Sequence, residues 1–168
     1  MNVQGYLEVV AGGMSADDFV AAHTHFVLVQ VEGQPGGGSD EAAVTERLDS
    51  AFIRRQAAGS RDAQVFELKG ATDGAPVLVG RAPQCDITIE HVSVSKEHAR
   101  FQFAGDELKL EDLGSTNGTL LNNRRLQANV VTNVLPDDGL RFGKATGFHL
   151  MNPQGFYQYL QLLRRFGL

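Results

Sequence analysis

A chain of 168 residues, 42% apolar and 21% charged, is long enough for one well-cored soluble domain and too short for two ordinary ones. Its formal net charge of −5 argues against a general nucleic-acid binder, because phosphate backbones are met with Lys and Arg. The lone Cys85 excludes an intramolecular disulfide framework and suits a reducing compartment. Residues 1–4 carry no basic start leading into an apolar stretch, so no secretory signal is expected. The longest apolar run, residues 26–29, is far too short to span a bilayer. The expectation is a cytoplasmic protein with neither membrane nor nucleic acid as partner.

In chain order, Ser15 can cap a short helix, with Asp17 and Asp18 near its positive end. Phe26-Val27-Leu28-Val29-Gln30-Val31 is β-branched and almost continuously apolar, which predicts a buried strand. The glycine-rich residues 33–38 predict a loop, after which Ser39 opens a second helix with Asp40 and Glu41 in its first turn. Val44, Leu48, Ala51 and Phe52 form one stripe of that helix, and Gly59 stops it. Sixty residues with so little core would be marginal alone, so residues 1–63 are expected to be an α/β extension docked on the rest of the chain or on a partner.

From Gln64 the pattern changes to period two. Strands are predicted at residues 65–68, 77–79, 87–89, 99–103, 108–110, 119–121, 130–131, 140–142 and 148–150, with Asp73-Gly74 and Gly105-Asp106 as turns. This spacing predicts a mainly β domain, an antiparallel sandwich over residues 64–151. Asn152 and Pro153 then open a C-terminal amphipathic helix over residues 152–168, with Phe156, Tyr159, Leu160 and Leu163 as its stripe. Both helical faces are wider than an exposed helix tolerates. They are expected to pack outside the sandwich with the 26–31 strand, as one enlarged monomer or as a homodimer.

Three polar stretches interrupt the strands. Gly80-Arg81 ends one of them, and a guanidinium there could reach across the sandwich rim or simply face solvent. Ser95 and Lys96 offer a hydroxyl and an ammonium from one loop, while His98 suits a buried imidazole bracing that loop. In Ser115-Thr116-Asn117-Gly118-Thr119, Gly118 permits a positive φ and Asn117 offers both a donor and an acceptor to an extended backbone. Each stretch alone is also compatible with an ordinary surface turn.

Together, Gly80-Arg81, Ser95 to His98 and Thr116-Asn117-Gly118, followed by a Leu-x-Phe-Gly strand at Leu140, resemble the forkhead-associated (FHA) domain over about residues 64–151. The resemblance implies a two-sheet sandwich whose loops at one end bind phosphothreonine, favoured over phosphoserine, in a partner protein or peptide. Carried over by position, it implies that Arg81 and Ser95, with Lys96 beside them, meet the phosphate, that Thr116 helps line the pocket and that Asn117 holds the peptide backbone. Gly80, His98 and Gly118 would then shape the site, and Asn122 would tie the following turn. Two departures stand out. Asn122-Asn123 replaces the usual Asn-Gly, and Asp137-Asp138-Gly139 replaces a common Gly-Asp pair.

Rival chemistries are weak. Gly139 to Ala145 is one residue short of a nucleotide-binding loop and lacks its hydroxyl. His23 and His25 have no further ligand at metal spacing, and Ser95 with His98 lacks a nucleophile-elbow frame. No catalytic residue, metal or cofactor is therefore assigned. The expected function is a phosphothreonine-dependent adaptor in serine/threonine kinase signalling. The alternative is an assembly protein that uses the sandwich and helices without phosphate.

Overall fold

The computed structural model describes residues 1–31, 60–145 and 147–166. The glycine-rich loop of residues 33–38, the helix expected from Ser39 and its stop at Gly59 lie outside these residues. The chain opens with helices α1 (Val3–Ala11) and α2 (Ala16–Ala22), then strand β1 (Val27–Val31). A 3-10 turn at Ser60–Asp62 leads into β2 (Val65–Glu67), β3 (Val77–Gly80) and β4 (Ile87–Thr88). The strands β5 (Ala99–Ala104), β6 (Glu107–Asp112), β7 (Thr119–Leu121) and β8 (Arg124–Arg125) follow. Last come β9 (Thr132–Val134), β10 (Gly139–Phe142), β11 (Gly147–Met151) and helix α3 (Pro153–Arg165).

The strands form two sheets, ordered β2-β1-β11-β10-β7-β8 and β4-β3-β5-β6-β9. Between them lies an apolar core containing Leu28, Val77, Val79, Phe101, Leu110, Leu140, Phe142 and Leu150. All pairings are antiparallel except β3 with β4. The turn from Arg81 to Asp86 folds back on itself, with Cys85 N–H donating to Ala82 O at 3.0 Å. Asp86 also accepts the Leu78 N–H at 2.8 Å, so β4 is drawn alongside β3 in the same direction.

β1 explains its own composition. Leu28 faces the sandwich core, while Val27, Val29 and Val31 belong to a second core with Tyr6, Val10, Phe19, Met151, Phe156 and Leu160. A strand buried on both faces needs a continuous apolar run, and this one has it. The strand expected to accompany the helices is thus a central member of the sheet, paired with β11 on one edge and β2 on the other. The boundary expected between residues 63 and 64 runs through this sheet.

The helices form a third layer on the outer face of the six-stranded sheet. Asn2 caps α1 by accepting the Gly5 N–H, Ser15 caps α2 through Asp18, and Asn152 caps α3 through Gly155. Phe156, Tyr159, Leu160 and Leu163 of α3 are buried. The Tyr6 hydroxyl donates to Glu67 Oε1 at 2.8 Å, which pins α1 to β2.

One expected strand is displaced. Val130 and Val131 are 42% and 47% exposed, and β9 begins only at Thr132. Asn129 takes a φ of 60° and donates its N–H to Asp112 O, and Val130 N–H closes a turn on Gln127 O. The backbone cannot extend until it has left that turn.

Candidate functional site

The polar stretches between β3 and β7 meet at one end of the sandwich. They do so through backbone bonds. Arg81 N–H donates to Ser95 O at 2.9 Å, and Ala82 N–H donates to Lys96 O at 3.1 Å. This close approach is possible because residue 80 is glycine. A Cβ there would stand 2.2 Å from Lys96 O and 2.9 Å from Cys85 Sγ.

His98 is the brace. It is fully buried, and its Nδ1 accepts the Ser95 N–H at 3.0 Å. The proton therefore resides on Nε2, which donates to Gly118 O at 2.9 Å. One neutral imidazole thus couples the β4–β5 loop to the β6–β7 loop. Burial lowers its pKa below the ordinary histidine value, against the opposing pull of the Gly118 carbonyl and the Asp112 carboxylate.

Asp112, which the sequence reading did not single out, performs the same service for the second loop. Its buried carboxylate accepts the Gly114 and Ser115 N–H groups, the Ser115 hydroxyl at 2.6 Å and the Thr119 hydroxyl at 2.7 Å. Burial alone would raise its pKa, but these donors and nearby His98 outweigh that and hold the carboxyl below its usual range. The signal was present as Asp112-x-Gly114-Ser115, the spacing at which an aspartate closes a turn on the amides two and three residues on.

On this frame the proposed contact residues take their places. Arg81, Ser95, Lys96 and Thr116 line one open depression of about 550 Å³, together with Gln84 and Glu97, which the sequence reading had not named. Arg81 spends its Nε on Val94 O at 3.1 Å and is otherwise exposed. Ser95 Oγ accepts the Thr116 N–H at 3.1 Å, so its own proton remains available to a ligand. An anion in the depression would meet a guanidinium, an ammonium and two hydroxyls, with Glu97 as the one opposing charge.

Asn117 is not among the lining residues. Its Nδ2 donates to Ser93 O at 2.9 Å, which holds the two loops together beside the depression and leaves Oδ1 as an acceptor. Ser93 is a further junction, since its Oγ accepts the Lys144 N–H at 2.7 Å. Gly118 has a φ of +82° and sits under the Arg125 side chain. Asn122 stands farther off. Its Nδ2 donates to Asp138 Oδ1, and its Oδ1 accepts the Gly139 N–H. Asn122 and Asn123 adopt φ of 49° and 65°, the pair of positive angles that a two-residue hairpin turn requires. Among the described residues there is no group of His, Cys, Asp and Glu able to hold a metal ion, and no helix long and apolar enough to cross a membrane.

Comparison with known proteins agrees with this architecture. The FHA domain family matches residues 77–143. Glycogen accumulation regulator GarA of Mycolicibacterium smegmatis is 34% identical over 134 residues, covering 80% of this chain and 72% of that protein. The oxoglutarate dehydrogenase inhibitor of Corynebacterium jeikeium is 29% identical over 130 residues, covering 64% of this chain and 88% of the relative. Among solved structures, the FHA domain of an Arabidopsis thaliana hypothetical protein gives a TM-score of 0.53 at 23% identity, over 76% of this chain and 85% of that one. With the sandwich, the loop signatures and these relatives in agreement, the chain belongs to the forkhead-associated domain family.

Proposed function

We propose that this protein is a phosphothreonine-dependent interaction module, a signalling adaptor acting downstream of serine/threonine kinases by binding and not by catalysis. The observation that carries the proposal is the convergence of Arg81, Ser95, Lys96 and Thr116 on one open depression. Arg81 supplies a charge-assisted fork to the phosphate, Ser95 and Thr116 supply short neutral donors, and Lys96 adds a second positive charge. Asn117 offers its Oδ1 to a backbone N–H of the bound peptide. His98 and Asp112 touch no ligand in this reading. They hold the two loops at a fixed separation, so binding requires little rearrangement.

The relatives support a regulatory role, since one is named a regulator and another an inhibitor. A small polar contact of this kind gives an affinity on the order of micromolar. The test is a peptide library presented in phosphothreonine, phosphoserine and unphosphorylated forms. Phosphothreonine should bind best, with roughly 1 kcal/mol at most separating it from phosphoserine, the worth of one buried methyl. Equal binding of phosphorylated and unphosphorylated peptides would refute the proposal.

A further inference from the structure

The edges of the two sheets are not treated alike. At β2 the edge is covered, since Val65 N–H donates to Met1 O at 3.0 Å and Asn2 bridges to Gln64. The edge strand β4 is two residues long and starts beside Asp86, and β8 consists of Arg124 and Arg125. Brevity and charge both keep a foreign strand from adding on. The β9 edge has neither a cover nor a charge among the described residues. Residues 130–135 read Val-Val-Thr-Asn-Val-Leu, with no proline or glycine to break an added ladder.

The direction of the edge groups follows from the ladder. Asp112 O accepts the Asn129 N–H at 2.8 Å, so the Asp112 backbone faces β9. Alternate residues of an antiparallel strand face alternate neighbours, so Leu110 and Leu108 also face β9 and bond Thr132 and Val134. The N–H and C=O of Val131 and Asn133 are thereby directed away from the sheet. Leu135 ends the series, because its N–H and C=O both bond Asp138. Side chains alternate in the same way. Val134 is buried in the sandwich core, whereas Val131 and Leu135 are 47% and 65% exposed.

The same side of the sandwich carries an unused cation. Arg124 lies opposite Leu121, which packs on the sandwich core. Directly opposed residues share a face, so Arg124 is turned toward the gap between the sheets. It is exposed and makes no hydrogen bond or ion pair among the described residues. The Thr119 hydroxyl donates to Asp112 at 2.7 Å, which levels β7 with β6 across the sandwich. Two residues farther from the loop end come Leu121 and Leu110, whose neighbours at the edge are Arg124 and Thr132. Arg124 and Thr132 therefore face each other across a gap of ~10 Å at the open side.

We propose that the β9 edge takes up an extended, unphosphorylated segment of a partner protein as a sixth strand, read as apolar-acid-apolar. The backbone groups of Val131 and Asn133 pair with the segment. Its residue opposite Thr132 is Asp or Glu, because that side chain points into the gap at Arg124. The residues opposite Val131 and Asn133 lie on the outer face and extend the apolar cover over Val131. A second copy of this chain fits worse. Pairing Val131 with the other Asn133 would set Thr132, not an acid, before Arg124, and the twofold axis would bring two Arg124 side chains together. The surface is separate from the depression at the loop end and needs no phosphate.

The experiment titrates the full chain with short unphosphorylated peptides built around Val-Glu-Val, Val-Gln-Val and Val-Lys-Val, followed by amide chemical shifts. The Glu peptide should bind about two- to fivefold tighter than the Gln peptide, and the Lys peptide most weakly, with the largest shifts at Val131 and Asn133. Arg124→Gln, at an exposed position, should make the Glu and Gln peptides bind alike. Asn133→Pro removes an N–H that the β6 ladder does not use, and should weaken every peptide about tenfold while the melting temperature holds. Val131→Pro, just outside the strand, gives the same reading should Asn133→Pro fail to fold. Equal binding of the three peptides, no binding at all, a Glu preference that survives Arg124→Gln, or full binding by the proline variants would each overturn the proposal. A concentration-dependent dimer that Val131→Pro abolishes would assign the edge to a second copy and overturn it likewise. Because the peptides carry no phosphate, failure of the phosphothreonine reading leaves these outcomes standing.

Discussion

The loop end and the helical flank of this sandwich are built by opposite means. At the loop end, two polar segments are held by directional bonds to one neutral imidazole and one carboxylate, His98 and Asp112, with hardly any apolar area spent. On the flank, three helices are held by a large apolar cluster and only a few polar pins such as Tyr6 to Glu67. A ligand-reading surface needs exact donor positions and exposed groups, which burial cannot provide. A docking layer needs only complementary volume. Binding and stability should therefore be separable by mutation in one region and inseparable in the other.

The largest expected effect lies on the flank. Phe156→Ala removes a fully buried ring that packs on Tyr6 and Phe19, and should cost about 3–5 kcal/mol in urea unfolding. Deleting residues 152–168 should go further, exposing Val27, Val29 and Met151 and causing aggregation. A truncated chain that stays soluble and equally stable would break the comparison, because the flank would then be an appendage. At the loop end, Arg81→Ala should lose about 2–5 kcal/mol of phosphopeptide binding while its thermal melting stays within error of the parent. His98→Ala sits between the two regimes. It strands the Ser95 amide and the Gly118 carbonyl, so it should cost about 2–4 kcal/mol of stability and weaken binding as well. If Arg81→Ala proved the more damaging to folding, the division between contact and brace would be wrong.

Acidity sharpens the same contrast. The folded-state pKa of His98 lies below that of the unfolded chain, so the unfolded form takes up its proton first. The stability it contributes is complete above about pH 6.5 and declines as pH falls through the region below. Asp112 is likewise depressed, so its contribution holds above about pH 4 and is lost on further acidification. Denaturant unfolding at pH 7.5, 5.5 and 3.5 should therefore show two successive losses. The His98→Ala chain should lack the first. The smallest effect expected is a gain. Asp137 holds a φ of +73° at the third position of the Leu135 to Asp138 turn, where burial, and after it the like charge of Asp138, raises its pKa. Asp137→Gly should stabilise the fold by about 0.5–1 kcal/mol, read as a higher melting temperature.

Much of the sandwich was legible because its strands alternate. In β5, Ala99 and Phe101 are buried and Arg100 and Gln102 are not, and the period survives without any knowledge of partners. The site loops were legible for a different reason: glycine, serine and asparagine stand where donors and unusual backbone angles are needed. What escaped was non-local or featureless. β8 is two exposed arginines, with no apolar rhythm to announce a strand. The continuous apolar run of β1 told of burial on both faces but not between which strands. Asp112 looked like one acidic surface residue among many until its four donors were in view. The helix α1 is another matter. Asn2 followed by Val3, Tyr6, Leu7 and Val10 carries a cap and a stripe at helical spacing, and that signal was there to be used.

The seat of β1 has a consequence for how the protein is made. Its two neighbours in the sheet are β2 and β11, and β11 lies about 120 residues farther along the chain. The side of β1 bearing Val27, Val29 and Val31 is roofed partly by α3, which follows β11 in the chain. At roughly 5–20 residues per second, the ribosome takes on the order of ten seconds to deliver those pieces. Throughout that interval a valine-rich ribbon lacks its β11 partner and the α3 part of its roof. The nascent chain needs shelter from a chaperone or from its own transient collapse until β11 and α3 have emerged.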